Sequence, residues 1–307
     1  MTERTVTVQV QTAWNRPMKA GPRAVRRLPE GVDSAPYERF GVSPLSPTIG
    51  AEIDGVDLGG PFDDELRAEL RRVLLEWKVL FFRDQHVTGD EHRAFARLWG
   101  ELEVHPFLPE GEVPEVVLFQ KDDKARGYEN IWHSDVSWRE VPSMGSVLRA
   151  REVPAVGGDT LFADMHCAYE GLDADVRRQI DGLRAVHDFT NAFGRGLSPD
   201  KLARMQAEHP PVEHPVVRTH PDTGRKLLYV NAVFTSHVVG LDPDASEQLL
   251  DLLCAQASVP EYQCRFHWRA DSVAFWDNRA VQHYASSDYY PQRRVMERAT
   301  IIGDHPY

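Results

Sequence analysis

Cysteine is scarce in this chain. Three occur in 307 residues, Cys167, Cys254 and Cys264, with no spacing of the kind that clasps a metal. An odd, sparse set argues against a disulfide framework and for a reducing compartment. Long apolar runs are missing too: no stretch reaches the length needed to cross a bilayer. The opening residues, MTERTVTVQVQT, lack the apolar segment of a secretory signal. A cytoplasmic protein with no membrane partner is the expectation. Positive charge is in deficit, with 35 Lys and Arg against 47 Asp and Glu and a net charge of -12. That balance speaks against a nucleic-acid or anionic-membrane surface. An acidic chain can still hold a small anion where a few arginines converge in a pocket. Internal repeats and low-complexity tracts are also absent, which removes solenoids and fibrous proteins.

What is present is an ordinary globular composition, 42% hydrophobic and 27% charged. Residues 1–37 stand apart. They carry Arg16, Lys19, Arg23, Arg26 and Arg27 among prolines and glycines, with few large apolar residues after Trp14. Such a segment buries too little surface to offset its ordering entropy, so it reads as a flexible or partner-packing N-terminal extension. A homo-oligomer is the corresponding expectation. Residues 38–307 read as the folded domain.

In GVSPLSPTIGAEIDGVDL, short β-type runs alternate with Gly and Pro, as strands and tight turns do. The spacing of Leu66, Leu70, Val73, Leu74 and Trp77 predicts a helix, and KVLFFRD a buried strand. Thr88 and Glu91 form a capping box for a helix that would stop at Gly100. Strand-like segments then dominate: SVLRARE, GDTLFAD, HPVVRTH, RKLLYVN, EYQCRFHW, SVAFWD and ERATIIGD. Helical insertions are predicted near Asp173 to Leu183, after Ser198-Pro199 and from Ala245 to Ala257. A mainly β chain with helical insertions, closing as a jelly-roll-like barrel, is the expected fold.

The chemistry centres on NIWHSDVSW. If that segment is a strand, His133 and Asp135 point to one face and can chelate one ion. An imidazole with a carboxylate suits Fe(II) better than Ca(II) or Mg(II), and one further His would complete the set. His283, which follows an apolar strand and a turn in FWDNRAVQHYA, is the best candidate. With 13 histidines and 47 acidic residues, a His-x-Asp pair also arises by accident. The bland alternative is a strand histidine bonded to a nearby aspartate.

The order of motifs decides for chemistry. WHSDVSW, GGDTLFAD, HPVVRTHPDTG, FWDNRAVQHYA and YYPQRRVMERATIIGD, in that sequence, resemble the taurine/α-ketoglutarate dioxygenase family. The resemblance runs from about Phe40 to Gly303. It implies a double-stranded β-helix (jelly-roll, cupin-like) core with His133, Asp135 and His283 as iron ligands at one mouth. It also implies that Thr160 and Arg294 bind 2-oxoglutarate and that O2 is the other co-substrate. For the substrate it implies an anion held by Arg298, His105 and the amide of Val136, with Phe193 and Phe234 packed around it.

The residue chemistry is compatible with those roles. Three ligands on one face of an octahedral ion leave three positions for a keto acid and O2. An arginine is the best partner for a carboxylate in a dry pocket. Arg298 lies four residues beyond Arg294, on the same face of a strand. Outside the family pattern, Thr160 would be a strand residue bonded to backbone, Arg294 a surface arginine and the two phenylalanines core. The expected reaction is hydroxylation of a small anionic organic substrate, foremost a sulfonate such as taurine, giving succinate and CO2. Sulfite and an aldehyde would follow from a sulfonate. An alkyl sulfate or a carboxylate is the alternative, and a catalytically silent metal-binding barrel the more remote one. Leu108 and the stretch Glu129 to Ile131 depart from the taurine enzyme where it meets the substrate's other end.

Overall fold

The structure is a computed structural model describing residues 8–11, 17–20, 23, 25–108, 113 and 115–307. Ten strands build its two principal sheets. In chain order they are β1 (Gly41–Pro44), β2 (Ala51–Asp54), β3 (Val79–Phe82), β4 (Val116–Lys121) and β5 (Ser143–Glu152). They continue with β6 (Thr160–Asp164), β7 (Gln263–Phe266), β8 (Val273–Asp277), β9 (Val281–Ala285) and β10 (Arg294–Ile302). The larger sheet runs β1-β2-β3-β8-β5-β10-β4 and the smaller β7-β6-β9. Neighbours are antiparallel except β2 and β3, which run parallel.

Side-chain alternation sets the layers. In β3, Val79 and Phe81 pack with Phe162 and Phe266 of the smaller sheet. Leu80 and Phe82 point the other way, into a core shared with the helices. β8 repeats the arrangement, Ala274 and Trp276 inward between the sheets, Val273 and Phe275 outward. Because successive side chains leave opposite faces, a strand apolar at every position must be covered on both. Cys264 of β7 is buried between the sheets, as its alternating run predicts.

The outer cover is α1 (Asp64–Trp77) and α2 (Gly89–Arg97). Leu70, Val73, Leu74 and Trp77 of α1 are buried, as their spacing requires. Both halves of the Thr88–Glu91 capping box are made. This second helix ends at Arg97 rather than at Gly100. The Leu98 and Trp99 amides donate to Phe95 and Ala96, three residues back, which tightens the last turn and closes the helix early. Thr88→Ala removes a side-chain acceptor for a helix-end N–H and is expected to cost about 1 kcal/mol. An unfolding free energy from urea titration lowered by less than about 0.3 kcal/mol would show the cap to be dispensable. The hairpin across Pro221-Asp222-Thr223-Gly224 also forms, Val217–Thr219 pairing with Lys226–Leu228.

Within the N-terminal extension, the described residues from Arg23 onward lie against their own chain. Lys78 Nζ and Arg225 Nη1 donate to the Arg27 carbonyl at 2.7 and 3.0 Å, and Arg225 Nη2 to that of Arg26 at 3.2 Å. Arg27 pairs with Glu76 at 2.7 Å, and Tyr37 donates to the same carboxylate at 2.6 Å. Charge and backbone bonding hold this segment, together with Val25 and Tyr37, which pack against the cores.

Candidate active site

His133 and Asp135 do not lie in a strand. His133 makes an isolated antiparallel bridge with His283, the amide of each donating to the carbonyl of the other at 3.1 and 2.8 Å. The chain then turns, closing with the Arg139 amide donating to Val136 O at 3.0 Å. Asp135 therefore reaches the site of His133 through a turn rather than through the pleat that the sequence spacing suggests. Val136, inside it, has φ of +46°.

Three donor atoms converge. Asp135 Oδ1 lies 3.8 Å from His133 Nε2 and 3.9 Å from His283 Nε2. Among the described residues these three form the one group of candidate ligands whose atoms all lie within 4.8 Å of one another. His133 Nδ1 is 2.8 Å from the Ile131 carbonyl, which fixes the proton there and leaves Nε2 bare for an ion. Burial, with the neighbouring His133, pushes His283 down to about 3, so its ring is neutral in ordinary buffers. Burial alone would raise the Asp135 carboxyl, but Arg298, His283 and His133 together outweigh it and hold the group well below the usual carboxylate range. Two imidazoles and a carboxylate are the donor set of a non-haem Fe(II) site.

A cavity of about 190 Å³ opens beside these atoms. At one end lie Thr160 and Arg294. Thr160 Oγ1 accepts from Trp268 Nε1 at 2.9 Å, leaving its own proton to donate. Arg294 is buried, and its Nε and Nη2 have no hydrogen-bond partner among the described residues. A buried guanidinium with two nitrogens unpartnered is costly, which marks this end as a place for an anion. Gly158 makes room for it: a Cβ there would stand 3.3 Å from Arg294 Nε, and φ of +71° favours glycine independently.

The cavity also takes in His105, Val136, Phe193, Phe234 and Arg298. Arg294, Met296 and Arg298 alternate along β10 and all line it, as a two-residue period demands. Arg298 Nη1 donates to Asp135 Oδ1 at 2.7 Å, while its Nε is buried without a partner among the described residues. His105 Nδ1 accepts from the Phe107 amide at 3.2 Å. Burial, then Arg298, takes His105 down to about 3, so it is a neutral ring whose proton sits on Nε2. Phe193 packs 5.6 Å from His105 and 6.2 Å from Phe234, forming an aromatic wall.

All ten residues that the sequence points to are thus brought to one cavity. Sequence reasoning misses others. Phe119, Leu148 and Lys121 line the cavity, Lys121 pairing with Glu129 at 2.6 Å. Ser146 Oγ donates to Asp135 Oδ2 at 3.2 Å, and Asn278 bonds the Asp135 backbone. Strand alternation could have found Leu148 and Ser146 on β5. Nothing in the spacing singles out Asn278, although it stands inside the motif that carries His283.

Known proteins resemble this chain in sequence and fold. The family described as taurine catabolism dioxygenase TauD, TfdA family matches residues 41–300. An alkylsulfatase of Acinetobacter baylyi is 35% identical over 277 residues, covering 88% of this chain and 87% of that one. An alpha-ketoglutarate-dependent sulfate ester dioxygenase of Pseudomonas putida is 36% identical over 273 residues, covering 86% and 90%. A taurine dioxygenase of Burkholderia xenovorans, solved by crystallography, superposes with a TM-score of 0.76 at 39% identity, over 88% of this chain and 93% of that one. Its fold and sequence place the chain in the TauD/TfdA family, and it is an α-ketoglutarate (2-oxoglutarate)-dependent dioxygenase.

Proposed function

We propose that this enzyme hydroxylates the carbon beside the anionic group of a small organic substrate with an apolar chain, a sulfate ester above all. The carrying observation is the pairing of Arg298, whose buried Nε is unpaired among the described residues, with the neutral Nε2–H donor of His105 in a cavity walled by Leu108, Phe119, Val136, Phe193 and Phe234. One charged fork and one neutral donor suit a tetrahedral oxyanion. The walls suit a hydrocarbon, and the identity to an alkylsulfatase and to a sulfate ester dioxygenase supports that substrate class.

In this reading His133, Asp135 and His283 would hold Fe(II). Iron with 2-oxoglutarate supplies the oxidising chemistry when bound: O2 is consumed, 2-oxoglutarate becomes succinate and CO2, and one oxygen goes to the substrate carbon. Arg294 and Thr160 hold the distal carboxylate of 2-oxoglutarate. Arg298 and His105 would fix the anion and so orient the neighbouring C–H toward the His133, Asp135 and His283 cluster, and the apolar walls keep water out. An alkyl sulfate hydroxylated at that carbon collapses to an aldehyde and inorganic sulfate. We also read the two sheets as halves of a double-stranded β-helix, residues 38–307 forming the catalytic domain behind the extension 1–37.

A sulfonate is the second reading, favoured by the superposition on a taurine dioxygenase. Taurine itself fits less well. Its ammonium needs an acceptor, and the carboxylates lining the cavity are committed: Asp135 to the metal site and Glu129 to Lys121 at 2.6 Å. A panel of alkyl sulfates, alkyl sulfonates, carboxylates and taurine, scored by succinate and aldehyde, tests the reading. Alkyl sulfates are expected to lead, and taurine as best substrate would overturn the proposal. Arg298→Ala is expected to raise succinate above one per product, because the keto acid then reacts without a held substrate. Iron is kept saturating, since Arg298 also bonds Asp135. Arg298→Lys should restore coupling only in part, a point charge replacing a planar fork. Full coupling in Arg298→Ala would make this arginine structural.

A further inference from the structure

A turn, unlike a strand, has no ladder to hold it, and Asp135 sits in one. Arg298 of β10 and Ser146 of β5 hold its carboxylate, and the shortest bonds to its main chain come from the segment that carries His283. The Asp135 amide donates to Asn278 Oδ1 at 2.8 Å, and Asn278 Nδ2 donates to the Asp135 carbonyl at 2.9 Å. The same nitrogen donates to Ser143 Oγ at 2.8 Å. An N–H facing one end of the side-chain amide and a carbonyl facing the other fix its orientation, since a flipped amide would lose both bonds to the Asp135 backbone. Asn278 is fully buried, and its own amide donates to Met144 O of β5 at 2.8 Å. It occupies the turn between β8 and β9, the hairpin that bears His283.

Val136 gives the brace something to oppose. A buried, β-branched residue at φ of +46° is in a region such side chains rarely adopt, and it persists only where the surroundings over-determine it. Released, the turn would relax and swing the Asp135 carboxylate. The backbone bridge already sets His133 against His283. Asn278 sets the third donor against the same hairpin.

We propose that Asn278 is a positioning residue of the metal site: by bonding both backbone groups of Asp135 it locks a strained turn and fixes the carboxylate relative to His283. The proposal rests on the triad being a metal site. Supporting partners of metal ligands typically contribute 10–100-fold to metal affinity.

The test is anaerobic titration of Co(II) into the chelator-treated full chain. Asn278→Ala is expected to bind Co(II) about 10- to 100-fold more weakly, with an altered ligand-field spectrum. Val136→Gly in that background is expected to recover part of the loss, because glycine holds positive φ without strain. A merely structural asparagine would lower the melting temperature of the metal-free chain and leave affinity, spectrum and rescue unmoved. Unchanged Co(II) affinity and spectrum in folded Asn278→Ala, or no rescue by Val136→Gly, overturns the proposal. Asn278→Ser, too short to span both Asp135 groups, is read the same way if the alanine variant does not fold. A wild-type chain that fails to take up Co(II) would instead remove the metal reading, and the proposal with it.

Discussion

Asp135→Ala is expected to lower Fe(II) affinity and substrate-dependent succinate formation by more than about 100-fold, beyond what loss of a supporting partner costs. Two effects add. The site loses its only anionic ligand, since His133 and His283 are the other members of the group. Arg298 loses the carboxylate it meets at 2.7 Å, so an uncompensated guanidinium is left beside the place where a cation must bind. His133→Ala and His283→Ala remove a ligand without freeing that charge and are expected to be less severe. Iron titration in the absence of oxygen, followed by turnover, separates binding from chemistry. Full iron affinity and activity in Asp135→Ala would sink the assignment of the triad.

How much of this was legible depends on which physical signal carries it. Alternation is local, so the two-faced burial of β3 and the shared face of Arg294 and Arg298 follow from spacing alone. Capping chemistry is local too, and Thr88 with Glu91 behaves as written. The structure brings His133 and Asp135 together, but by a different geometry from the one their spacing suggests. Two-residue spacing suggested a pleat, whereas a turn with Val136 at positive φ does the work. Asn278 was hidden because its partners are the backbone groups of a residue 143 positions away, and every residue offers the same groups. The docked part of the N-terminal extension was hidden likewise, its Arg26 and Arg27 carbonyls accepting from Lys78 and Arg225. Side-chain patterns announce themselves in sequence, and main-chain acceptors do not.

Arg294→Ala is expected to weaken 2-oxoglutarate binding by about 30-fold to several thousand-fold. The range is the cost of breaking one side of a buried charged pair, about 2–5 kcal/mol, at about 1.4 kcal/mol per tenfold. The upper part is favoured by the surroundings. Burial already opposes the charge on Arg294, and its Nε and Nη2 have no partner among the described residues, so the free chain holds a cation still lacking its counter-anion. An arriving carboxylate relieves that state, and the alanine variant has nothing equivalent to offer beyond Thr160, whose hydroxyl proton is left free by the bond from Trp268. Thr160→Ala should accordingly lose one neutral hydrogen bond, a smaller effect of about tenfold. Arg294→Lys should fall between, keeping the charge while losing the bidentate fork and the fit beside Gly158. Titration of 2-oxoglutarate into the metal-loaded, oxygen-free enzyme reads the three variants directly. An affinity unchanged in Arg294→Ala would mean that the keto acid's distal carboxylate lies elsewhere, and the two ends of the cavity would then have to exchange roles, with Arg298 the clamp for the co-substrate.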